Sequence, residues 1–139
     1  MSVSGPIIMI DDDEDDQFLF RNILEELEIR NEPIFFKNGA EALHYLEETK
    51  DRPFLILCDV NMPVLNGLEL KSRIDQSEYL KSKSIPFVFI STSGNPSAVK
   101  AAYEMTIQGF FKKETSYALL KQQIKLIVDY WHFCLHPNK

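Results

Sequence analysis

Apolar residues fall along the chain in two alternating patterns. Five short, mainly apolar segments look like strands: Ile7 to Ile10, Pro33 to Lys37, Phe54 to Val60, Phe87 to Ser91 and Gly109 to Lys112. Apolar runs of that length, bounded by polar or turn residues, predict strands buried on both faces. Between them the apolar positions recur with helical period. Phe20, Ile23, Leu24 and Leu27 mark a first helix, Ala40 to Leu46 a second and Leu68 to Ile74 a third. Pro96 to Met105 is a fourth, with Asn95 as its N-cap and Pro96 at the first helical position. The fifth and longest runs from Ser116 to about Leu135.

Strands apolar on both faces, separated by single helices, predict a parallel sheet covered on both sides by right-handed crossovers. The fold class is α/β, doubly wound, with five strands and five helices. No internal repeat or Gly/Ser linker divides the chain, so residues 1–139 read as one domain, a length that buries an adequate core without disulfides.

Composition narrows the function. The chain is 45% hydrophobic, 26% charged and 12% aromatic, as expected of a chain that folds alone. Fifteen basic residues against twenty-one acidic give a net charge of −6, which disfavours nucleic acid and anionic membrane as partners. The longest apolar run, Phe54 to Cys58, is far too short to span a membrane, and MSVSGPIIMI lacks the features of a signal peptide. These observations predict a cytoplasmic protein. Cys58 and Cys134, each in apolar surroundings, are expected to be buried thiols and not a disulfide or zinc site.

In a doubly wound sheet, ligands bind beyond the carboxyl ends of the strands. Those ends carry Asp11 and Asp12, Asp59, Ser91 and Thr92, and Lys112 and Lys113. Carboxylates converging in one crevice repel each other unless they share a cation, and hard oxygen ligands suit Mg2+. A carboxylate beside Mg2+ can attack phosphorus, with a lysine and a hydroxyl supplying contacts to the transferred group. The rest of the acidic run, Asp13 to Asp16, reads as a solvated helix start favoured by the helix dipole.

Four segments together resemble the receiver domain of two-component response regulators: IIMIDDDEDD at the first strand end, LCDVNMPVLNG from Leu57 to Gly67, IPFVFISTS from Ile85 to Ser93, and GFFKK from Gly109 to Lys113. The resemblance covers Ile7 to about Leu135. It implies a flavodoxin-like sheet of strand order 2-1-3-4-5. It also implies Asp59 as phosphoacceptor, and Mg2+ held by Asp12, Asp59 and the backbone carbonyl of Asn61, with Asp11 helping indirectly. By the same resemblance Ser91 hydrogen-bonds the phosphoryl group, Lys113 rather than Lys112 contacts it, and Ser91 with Phe110 forms the switch. Glu114 departs from the family pattern, which has proline there. A trans bond between Lys113 and Glu114 is therefore expected, with Glu114 competing for the lysine.

The function implied is a stand-alone response regulator that takes a phosphoryl group from a sensor histidine kinase or phosphotransfer protein, hydrolyses it, and signals by contact with a downstream protein. No separate substrate turnover is expected, and no output domain is expected to be attached. The longer connection Asp75 to Ile85 and the extended last helix resemble single-domain regulators associated with phytochrome-like kinases. The alternative is a receiver-like binding module that works without phosphorylation.

Other readings of the strand-end acids and the acidic run are weaker. A haloacid dehalogenase-type enzyme needs a second Asp where Asn61 stands. A calcium loop needs glycine at Asp16 and glutamate at Asn22. A flavodoxin-type electron carrier would have its flavin phosphate repelled by Asp11 to Asp16.

The last helix carries two apolar stripes. Leu120, Ile124, Ile127, Val128, Trp131 and Leu135 are expected to cover the sheet. Leu119, Leu126, Tyr130 and Phe133 form another, which predicts a homodimer through this helix unless the C-terminal turn folds back over it.

Overall fold

A computed structural model describes residues 2–92 and 94–137. Its elements are β1 (Ile7–Ile10), α1 (Glu14–Glu26), β2 (Pro33–Phe36), α2 (Gly39–Glu48), β3 (Leu55–Cys58), α3 (Gly67–Gln76), α4 (Glu78–Ser82), β4 (Phe87–Ser91), α5 (Pro96–Glu104), β5 (Gly109–Lys112) and α6 (Tyr117–Phe133). The five strands are all parallel, in the order β2-β1-β3-β4-β5. Both the class and the strand order agree with expectation.

The side-chain alternation of each strand divides the core in two. Ile7 and Met9 of β1, Leu55 and Leu57 of β3, and Val88 and Ile90 of β4 face α1 and α6, where Phe20, Ile23, Leu24, Leu120, Ile124, Ile127 and Val128 meet them. Ile8, Ile10, Ile56, Cys58, Phe87 and Phe89 face the other way, toward Ala42, Leu46, Leu70, Leu80 and Ala102 of α2 to α5. Each large apolar side chain removed from water in this way contributes about 1.5–3 kcal/mol. The three central strands accordingly carry no polar side chain except Ser91 at the end of β4.

Polar caps start the helices. Asp13, Asn38, Asn66, Ser77, Asn95 and Ser116 each accept a backbone N–H in the first turn of α1 to α6 respectively. Asn66 and Glu69 form a reciprocal capping box.

The structure departs from expectation in four places. A sixth, five-residue helix, α4, occupies the Asp75 to Ile85 connection. Ser77 ends α3 and caps α4, Leu80 is buried, and Lys83 Nζ donates to the carbonyls of Leu46 and Thr49 at the end of α2. Strand β3 is shorter than the Phe54 to Val60 segment that predicts it, although just outside it the Phe54 N–H donates to the Pro6 carbonyl and the Asp59 N–H to the Ile10 carbonyl. Helix α6 ends at Phe133, since Cys134 is extended (φ −75°, ψ 150°), so Leu135 is 98% exposed and does not cover the sheet. Cys58 is buried as expected, whereas Cys134, beyond the helix end, is only half-buried.

Candidate metal and phosphoryl site

The ladder continues past the ends of β1 and β3 and fixes two carboxylates side by side. Asp11 N–H donates to the Phe36 carbonyl and Asp59 N–H to the Ile10 carbonyl. Both residues are buried, and Asp12 is exposed at the rim. Asp11, Asp12 and Asp59 each offer a carboxylate oxygen, and these oxygens lie within 4.8 Å of one another. That spacing and donor set fit a hard divalent cation. Asn61 follows on the exposed loop toward α3.

Each buried carboxylate is oriented by its own partners. Asp11 Oδ1 accepts from the Asp13 amide at 2.9 Å, and Gln17 Nε2 donates to the Asp11 carbonyl at 2.8 Å. Asp59 Oδ1 accepts from the Val60 amide at 2.7 Å. Gly67, the first residue of α3, packs under the Asp59 backbone, and its amide donates to the Val60 carbonyl.

Lys113 enters from the opposite edge. Its backbone N–H donates to the Ser91 carbonyl, continuing the β4–β5 ladder, while Lys112 stays exposed. The Lys113 ammonium lies 2.7 Å from Asp11 Oδ2 and 2.7 Å from Asp16 Oδ2, and 5.5 Å from the centre of the Phe20 ring. Burial pushes the Asp11 carboxyl up to about 6, against the pull of Lys113, and the Asp59 charge adds to the rise. Burial would lower the lysine, but its bonds to Asp11 and Asp16 outweigh that and hold it above its ordinary value. Lys113 is therefore a cation throughout the physiological range.

Ser91 is fully buried at the end of β4. Phe110 is half-buried on β5 with its ring 5.6 Å from Phe89, and its N–H donates to the Tyr103 hydroxyl of α5 at 3.1 Å.

Two expectations about Lys113's surroundings change. Glu114 forms no ion pair among the described residues; its amide is held by Gln123 Oε1, which turns the chain into α6. The linkage to Lys113 is trans, as expected. The lysine's second anion is instead Asp16, which the sequence pattern places in a solvated run. Its legible signal is helical spacing: Asp16 lies one turn before buried Phe20, on the inward side of α1. Tyr103 carries no comparable signal in the sequence.

Comparison with known proteins agrees with this arrangement. Residues 7–125 match the response regulator receiver domain family. The response regulator Rcp1 of Synechocystis sp. is 31% identical over 130 residues, covering 90% of this chain and 87% of the relative. Two solved structures superpose closely. The phosphorylated cyanobacterial phytochrome response regulator RcpA has a TM-score of 0.88 at 28% identity, covering 97% of this chain and 99% of that one. The Mn2+-bound form of Rcp1 gives 0.82 at 28% identity, covering 95% and 96%.

Proposed function

This chain belongs to the response regulator receiver domain family, and we propose that it is a phosphorelay receiver that accepts a phosphoryl group on Asp59 from a sensor histidine kinase or phosphotransfer protein. The observation that carries this reading is the convergence of Asp11, Asp12 and Asp59 at one strand edge, with the Lys113 ammonium reaching the same carboxylate cluster. The Mn2+-bound and phosphorylated states in the names of the two similar structures support it.

In this reading Asp12, Asp59 and the Asn61 backbone carbonyl, with Asp11 behind them, would hold a Mg2+ ion, which would supply neutralisation of charge on the transferring group. The Val60 amide fixes Asp59 Oδ1 and leaves Oδ2 to attack phosphorus. The bond from phosphorus to the donor histidine nitrogen breaks as the bond to Asp59 forms. Lys113 and the Ser91 hydroxyl then hydrogen-bond the phosphoryl oxygens. Water hydrolyses the acyl phosphate, so the protein resets itself without turning over a separate substrate.

The output is a protein contact. Drawing the Ser91 hydroxyl toward the phosphoryl group makes room for Phe110 to move inward, and the α5–β5–α6 surface changes with it. Leu126, Tyr130 and Phe133 of α6 are 62%, 61% and 90% exposed, with Leu119 beside them. The C-terminal turn does not cover them, because His136 instead stacks on Phe54 and bonds the Trp131 carbonyl. A second copy of this chain, presenting the same stripe, closes that surface in a homodimer. The net charge of −6 argues against nucleic acid as a target, and no helix among the described residues is long and apolar enough to cross a membrane. A cytoplasmic setting suits this role.

Incubation with acetyl phosphate and Mg2+ followed by intact-mass measurement tests the reading. One added phosphoryl group is expected, and none on Asp59→Asn. A chain that stays unlabelled would instead be a phosphorylation-independent binding module.

A further inference from the structure

The Lys113 ammonium is held by more negative charge than the strand edge supplies. Asp11, one of its two partners, belongs to the carboxylate cluster. Asp16, the other, does not: it stands in the first turn of α1, and among the described residues its side chain bonds only Lys113, at 2.7 Å. The Lys113 side chain is 4% exposed and that of Asp16 22%, so water screens this pair only in part. Neither bond of the ammonium goes to Asp59, whose carboxylate is held by the Val60 amide.

We propose that Asp16 is a positioning residue that holds Lys113 against α1 and competes with a phosphoryl group on Asp59 for it. The proposal rests on the reading of Asp59 as phosphoacceptor and extends it to a residue outside the strand ends.

An ammonium has three donors and one charge. Here two donors and that charge already face two carboxylates. A phosphoryl group on Asp59 brings further negative charge to the same crevice, and its attraction to Lys113 is reduced by every anion already there. Asp11 is one of the carboxylates that would hold a divalent cation, whereas Asp16 is outside that cluster and is the partner left to restrain the lysine. Movement of the ammonium toward the phosphoryl oxygens lengthens its contact with Asp16. The state of Asp59 is thereby felt at the first turn of α1.

The direct test is equilibrium binding of beryllofluoride, a phosphoryl mimic, to the full chain with Mg2+, read as the bound signal in fluorine NMR. Asp16→Asn keeps the shape and removes the charge, and it is expected to tighten binding by about fivefold or more. Asp16→Ser carries the same expectation if the first variant does not fold. Asp16→Glu, which keeps the charge, is expected to bind within about twofold of the wild type. Asp15→Asn removes a charge from the same turn without touching Lys113, and is expected to bind as the wild type does. Equal or weaker binding by the Asp16→Asn variant, or equal tightening by Asp15→Asn, overturns the competition. A wild-type protein that binds no beryllofluoride overturns the phosphoacceptor reading along with it, so the two failures are distinct.

Discussion

The Tyr103 hydroxyl accepts the outward-facing backbone N–H of Phe110, tying the last turn of α5 to the edge strand β5. On an edge strand such an N–H otherwise faces water. Removing the hydroxyl with Tyr103→Phe should therefore cost little stability, about 1 kcal/mol at most. Hydrogen exchange is expected to quicken at the Phe110 amide while Phe89, in the sheet interior, keeps its protection. An unchanged Phe110 rate would show that the tyrosine does not hold the strand.

Gly67 has a steric reason for its identity. A Cβ built there would lie 2.4 Å from the Asp59 carbonyl oxygen and 2.7 Å from the Phe89 ring. The oxygen is backbone and cannot yield, so Gly67→Ala must push the start of α3 away from the end of β3. A loss of about 1–3 kcal/mol is expected in urea denaturation, with weakened Mg2+ binding. A variant as stable as the wild type would contradict the close approach.

The site also predicts a pH dependence. The Asp11 carboxyl is raised from 3.8 to about 6, so between those values the folded protein holds a proton that the unfolded chain has released. Stability of the metal-free protein from this group is thus greatest at low pH and falls as pH rises through that window. Mg2+ binding needs the ionised form and runs the other way. Its affinity should be nearly constant above pH 7 and fall toward tenfold per unit well below about 6. Calorimetric titration at pH 5, 6, 7 and 8 checks this, and a flat profile would show that Asp11 stays ionised throughout.

For the exposed stripe on α6, sedimentation at micromolar concentration is the check. A wild-type dimer dissociated by Leu126→Glu or Phe133→Glu is the expected result, because each variant sets a charge in the middle of an apolar contact. A monomer unaffected by either change would leave the stripe without a second copy.

The sequence is most legible where one physical cause dominates. Ile7–Ile10 and Phe87–Ser91 are apolar on both faces because helices cover both, so their bounds can be read directly. Asp11, Asp12 and Asp59 are legible for the complementary reason, since a charge directly behind an apolar strand lies at the sheet edge. Helix α4 is not, because five residues are too few to display a helical period. Leu135 continues the apolar spacing of α6, but the chain turns at Cys134 and His136 packs on Phe54 instead. Pro137 disfavours helical backbone at the residue before it, consistent with that exit. Asp16 is masked by its neighbours: five other acids in a row look solvated, and besides its helical spacing before Phe20 only a lysine ninety-seven residues away distinguishes it.

The account depends most on which carboxylate takes the phosphoryl group. Labelling with acetyl phosphate and Mg2+, reduction of the acyl phosphate with borohydride and peptide sequencing by tandem mass spectrometry locates it directly. Conversion of Asp59 alone to homoserine is the predicted result. Conversion at Asp11, Asp12 or Asp16, with Asp59 intact, would contradict it.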